Sequence, residues 1–196
     1  MTEGPAPAGS GVPETDSPYE MSISLNVLNH LGLNLYSNHP AVLSEAVANA
    51  WDADAHSVTI TLDLDSETVV VHDDGCGMTL EDINNRFLRV GYQRRNDPAT
   101  SVTPSGRQVM GRKGIGKLSL FSIAGKVKVE TARDGQKNAL LMDLEAIKVA
   151  ISNTDPSTAG PYKPKPLDTS AINFSHGTRI TLTALKRSIT RTESFL

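Results

Sequence analysis

The spacing of apolar residues changes period along the chain, and this limits the fold more than any other feature. Over 23–36, Leu and Ile recur at mixed spacings of three and four, which predicts a helix. Pro40 is placed to open a second helix at its first turn, running through Val42, Ala46 and Val47 to about Ala53. Beyond it the period falls to two. Residues 58–64 alternate β-branched and polar side chains and predict a strand, Asp65-Ser66 a turn, and 68–72 the returning strand. Thr79 is a cap for a short helix carrying Ile83 and Phe87. An apolar helix is expected over 115–124, then strands over 126–131 and 138–144 joined by Asp134-Gly135, and a last strand over 178–183. A helical front followed by a strand-rich rear predicts an α+β sandwich of helices over one sheet.

The remainder is punctuation. Residues 1–18 are rich in Gly, Pro, Ala, Ser and Thr and predict a flexible tail, leaving 19–196 as one domain. Residues 92–110 and 152–170 are polar loops interrupted by proline, and a loop that long is usually functional or disordered. The net charge of −3 gives no reason to expect a chain that coats nucleic acid or membrane. No run approaches the roughly 20 apolar residues of a membrane span. A lone cysteine, Cys76, fits a reducing, cytoplasmic setting and reads as a small filler. Trp51 is expected to face the core.

Three clusters could carry chemistry. Glu45, Asn49 and Asp52, spaced by four and seven, share one helical face. A carboxylate there can take a proton from water, and an amide oxygen one turn away can ligate a hard cation. The same spacing also describes a solvated polar stripe. Asp73-x-Gly75-x-Gly77-Met78 follows the apolar run Val69-Val70-Val71. Two glycines so placed allow close approach to a flat ligand or a positive φ, and the acid could accept from an exocyclic amine. A plain turn would look alike. Gly111-x-x-Gly114-Ile115-Gly116-Lys117 leads into a helix, where free backbone N–H groups attract phosphate and a lysine adds a point charge. It has neither the spacing of a Walker A loop nor the strand setting of a dinucleotide fingerprint. Gly177-Thr178, at the entrance of the last strand, says little alone.

Taken in order, these boxes resemble the Bergerat ATP-binding fold of the gyrase, heat-shock chaperone, histidine kinase and MutL superfamily, nearer the chaperone, MutL and MORC side. The resemblance spans about 25–182. It implies a two-layer sandwich, a mixed sheet covered on one face by helices, binding ATP with Mg²⁺. It implies Glu45 as the base activating water and Asn49 as the protein ligand to magnesium. Asp52 and Ala53 would line the adenine pocket, Asp73 would accept from the adenine amine, and Gly75 and Gly77 would pass beside the base with Met78 packed on it. Gly111, Gly114, Ile115, Gly116 and Lys117 would close round the phosphates, and Thr178 would fix the adenine through a water. Asn85 falls one place off the chaperone pattern. The resemblance further implies slow hydrolysis driving a lid-closure or dimerisation switch, with a homodimer in a longer protein and any nucleic acid bound through other domains. A nucleotide-gated scaffold without hydrolysis and a histidine kinase domain are the alternatives. For the latter, neither His30 nor His39 is followed by an acid.

Overall fold

A computed structural model describes residues 17–21, 39–89, 102–110, 116–152 and 162–186. The helix expected over 23–36, and Gly111, Gly114 and Ile115, lie outside the described residues. Helix α1 spans His39–Asp52, with Val42, Ala46 and Ala50 buried on one side. Strands β1 (Val58–Asp63) and β2 (Thr68–Asp73) form a hairpin. Thr79 then caps α2 (Leu80–Asp82) with a full capping box, and the chain continues as a π-helical turn, Ile83–Phe87. Helix α3 (Gly116–Ile123) leads directly into β3 (Ala124–Arg133), whose hairpin partner is β4 (Gln136–Asp143). Helix α4 (Leu144–Ser152), a two-residue strand β5 (Lys165–Pro166) and β6 (Gly177–Leu185) follow.

The α+β sandwich is present. The six strands lie in the order β1-β2-β6-β3-β4-β5. The sheet is not mixed as expected: every neighbouring pair among the described residues is antiparallel. The reason is the place of β6. The helical crossover from β2 to β3 makes those two strands run the same way, and β6 fills the gap between them, antiparallel to both.

Pleating sends Val69, Val71, Val127, Val129, Leu140, Met142, Ile180 and Leu182 to one face. There they bury against Val42 and Ala46 of α1, Leu120 and Phe121 of α3, Ile83, and Ile147 of α4. On the other face a second, small core joins Ala132 and Ala139 to Ile172, with Leu167 and Phe174 packed against it. Here Glu130, 2% exposed, takes Arg179 Nε at 2.9 Å and its second nitrogen at 3.0 Å, with Lys128 Nζ at 3.0 Å.

Two elements go beyond the sequence reading. Helix α4 is capped by Asp143, whose carboxylate accepts from the N–H groups of Glu145 and Ala146. The segment 17–21 is also fixed: Ser17 donates to the Pro164 carbonyl, Met21 pairs with Tyr162, and Tyr19 and Met21 are buried. No described helix is long and apolar enough to cross a membrane.

Candidate nucleotide site

Helix α1 presents Glu45 half-buried and Asn49 exposed on the flank next to its buried side. Asp52, one face further along, is buried at 7%. Its carboxylate accepts the Met110 N–H at 2.7 Å. Asp52 thus anchors the chain at Met110, next to the Gly111 box.

That anchor belongs to a larger clasp. Asp54, at φ 60°, ends the helix, a conformation that Asp tolerates better than most residues. Its carboxylate accepts from the hydroxyls of Thr103 and Ser105 and from the Ser105 N–H at 3.1 Å. Arg107 donates to the Ala55 carbonyl at 2.7 Å and lies over the Trp51 ring at 4.7 Å. The Trp51 indole N–H donates to the Gln108 carbonyl. Trp51 is therefore 42% exposed rather than in the core: it serves as a platform for residues 102–110. Burial raises the Asp54 pKa, but the Ser105 and Thr103 hydrogen bonds and Arg107 outweigh it, leaving it below the usual carboxylate value. A depressed pKa makes this contact fully present above about pH 3.9 and lost as pH falls through the folded value. Asp54→Asn keeps the backbone conformation and removes the charge. It is expected to speed amide exchange at Ser105, Arg107 and Met110 about tenfold while leaving the sheet unchanged; equal protection in both proteins would contradict the clasp.

The second box forms a turn between α1 and β6. Asp73 closes β2, with Thr178 as its Cα partner across the ladder. Its carboxylate accepts the Gly75 N–H at 2.9 Å. The Cys76 N–H donates to the Ala53 carbonyl at 2.8 Å, so the turn is tied to the end of α1. A methyl at Gly75 would stand 2.8 Å from Ala53 Cβ, which explains small residues at both places. Gly77 takes φ +67°. Asp74 is structural, accepting from His56 N–H and Ser57 N–H at 2.7 and 2.8 Å. Cys76 is exposed, not a filler. Asn85 is exposed on the π turn. Met78 is half-buried against the core, and its N–H donates to Thr131 Oγ1. Thr131 was not singled out in the sequence, because a β-branched residue at an inward strand position reads as core. Gly116 and Lys117 begin α3.

Burial drives the Asp73 pKa upward, against the opposing Gly75 hydrogen bond. The folded state therefore holds its proton more tightly than the unfolded chain, and this residue's contribution to stability declines as pH rises through that range. A carboxylate kept at a burial penalty suits an acceptor for a bound N–H group.

A cavity of about 480 Å³ lies elsewhere, on the flank of α1 away from Glu45 and Asn49. Leu43, Val47, Trp51, Ile60 and Leu62 line it, and its walls are mainly apolar. The polar cluster, not this cavity, is the candidate site.

Comparison with known proteins places the chain among relatives. The profile of the family described as "Histidine kinase-, DNA gyrase B-, and HSP90-like ATPase" matches residues 36–178. The candidate type II restriction enzyme HgiDII of Herpetosiphon aurantiacus is 43% identical over 182 residues, covering 93% of this chain and 28% of that protein. The chaperone protein HtpG of Bacteroides thetaiotaomicron is 29% identical over 112 residues, 50% of this chain and 16% of that protein. HtpG of Francisella tularensis subsp. novicida is 27% identical over 144 residues, 62% and 23%. The chain spans less than a third of each of these relatives.

Proposed function

Because the chain belongs to the histidine kinase-, DNA gyrase B- and HSP90-like ATPase family, whose domains bind ATP, we propose that it binds Mg·ATP and hydrolyses it slowly. The observation that carries this reading is the meeting of Asp73 and Thr178 across one ladder, beside the helix that bears Glu45 and Asn49. Asp73 accepts from the adenine amine, the turn through Gly75 and Gly77 runs beside the base, and Met78 packs on it. The backbone N–H groups of Gly111, Gly114, Ile115 and Gly116, with Lys117, hold the phosphates.

The donor set fits magnesium. Among the described residues no three His, Cys, Asp or Glu side chains gather into a metal cage. One amide oxygen, from Asn49, would be the protein's ligand, with phosphate and water oxygens completing the shell, as magnesium prefers. When bound, the ion supplies charge neutralisation at the phosphates. Glu45 takes a proton from the attacking water as its oxygen bonds to the γ-phosphorus. The bond to the bridging oxygen breaks, and its electron pair leaves on ADP.

Hydrolysis would drive closure and dimerisation in a longer protein. By likeness to HgiDII that protein is a restriction-enzyme relative, with nucleic acid bound outside this stretch. A phosphoacceptor role for His39 is disfavoured, since its side chain is 7% exposed in the first turn of α1. Titration calorimetry with ATP and magnesium, paired with a phosphate-release assay, tests the reading. Binding without release would favour the nucleotide-gated scaffold, and no binding at millimolar ATP would end both. Asp73→Asn sharpens the test. Removing a buried charge should raise the melting temperature of the free protein, while the amide NH₂ facing the adenine amine should weaken ATP binding about 100-fold. A variant that binds ATP as the parent does would remove Asp73 from the site.

A further inference from the structure

One buried hydroxyl joins the two glycine turns, and its proton count fixes what its neighbour can offer a ligand. Thr131, in β3, is 0% exposed. It interrupts the inward apolar row of Val127 and Val129, where a hydroxyl is unfavourable unless fully used. Its Oγ1 lies 2.9 Å from the Met78 nitrogen, 2.9 Å from the Gly177 carbonyl oxygen and 3.2 Å from Thr178 Oγ1.

A threonine hydroxyl has one proton and two lone pairs. The Met78 N–H can only donate, so it occupies one lone pair. The Gly177 carbonyl can only accept, so it takes the proton. One lone pair remains for Thr178, which must therefore donate its own proton to Thr131. With that proton used, Thr178 has only lone pairs left. Its partner across the ladder, Asp73, is also acceptor-only when ionised.

We propose that Thr131 is a positioning residue that sets purine specificity. By accepting the Thr178 proton, it makes the Asp73–Thr178 end of the sheet an acceptor-only surface. Such a surface pairs directly with the N–H of an amine at C6 and offers no donor to the oxygen of a 6-oxo purine. The inference rests on the adenine-nucleotide reading above.

The test compares ATP with inosine triphosphate, whose base carries an oxygen in place of the C6 amine. Affinities are measured by calorimetry on the full chain with magnesium. The parent protein is expected to prefer ATP by about 100-fold or more. Thr131→Val keeps the shape and deletes the hydroxyl, freeing Thr178 to rotate and donate. Its preference should fall to about tenfold or less, and Thr131→Ser should restore it. A residue that only braced the fold would weaken both nucleotides alike and leave the ratio unchanged. A folded Thr131→Val with the parental ratio overturns the inference. So does a parent that binds the two nucleotides equally, although the nucleotide reading then survives. A parent that binds neither overturns both. Should Thr131→Val fail to fold, Thr178→Val removes the acceptor directly. A collapsed ratio there supports the inference and an unchanged one overturns it.

Discussion

Glu45→Ala is expected to lower phosphate release by about 100-fold or more while ATP affinity stays within about threefold. The separation follows from where the side chain sits. Glu45 lies on the flank of α1, whereas the groups assigned to the base, Asp73, Thr178 and the Gly75 turn, come from β2, β6 and the connection between them. The helix tolerates alanine well at a half-buried position, so the fold should be unaffected. A general base matters only as the proton moves, so its loss appears in the rate of the chemical step and not in binding. Single-turnover phosphate release and calorimetry on the same preparations read the two effects separately. Hydrolysis at the parental rate would move the base elsewhere.

Gly177→Ala should destabilise the fold by about 3 kcal/mol or more, lowering the melting temperature by about 6–12 °C. Gly177 has φ +108°, outside the small left-handed region that other residues visit. A methyl there would stand 2.2 Å from the Asp73 carbonyl oxygen, which is backbone and cannot swing away. Relief requires β6 to move from β2 at the register where Asp73 meets Thr178, so ATP affinity should fall with stability. A melting temperature within about 2 °C of the parent would mean that the strands do not approach so closely.

Much of this arrangement was readable from local pattern. The edges of α1, both hairpins and the Thr79 cap follow from periodicity and turn chemistry acting over a few residues. What escaped was non-local or ambiguous in kind. Helix α4 has Leu144 and Ile147 at helical spacing after a capping Asp143, but the strand pattern of β4 runs straight into it. The clasp of Asp54 by Thr103, Ser105 and Arg107 leaves no periodic trace, because its partners are far apart in the chain. Trp51 was misplaced for the same reason: its surface exposure is stabilised by Arg107 and Gln108, invisible from the helix alone. At the site, residue types and order pointed to Asp73, Gly75, Gly77 and Thr178 together. That Asp52 and Asp74 are occupied by backbone N–H groups, and that Thr131 binds the turns together, required coordinates.

The central position of β6 has a consequence for how the protein is made. The last strand of the sheet in sequence order is the one that both β2 and β3 need as a neighbour. Until it emerges from the ribosome, the nascent chain holds two hairpins, each with a bare inner edge able to pair with other chains. Closing the sheet then joins β2 to a strand about a hundred residues later, a slow, long-range step. The same step brings Thr178 to Asp73. A newborn chain therefore cannot bring Asp73 and Thr178 together before its sheet is sealed, and on the proposed reading nucleotide capture would report a closed sheet.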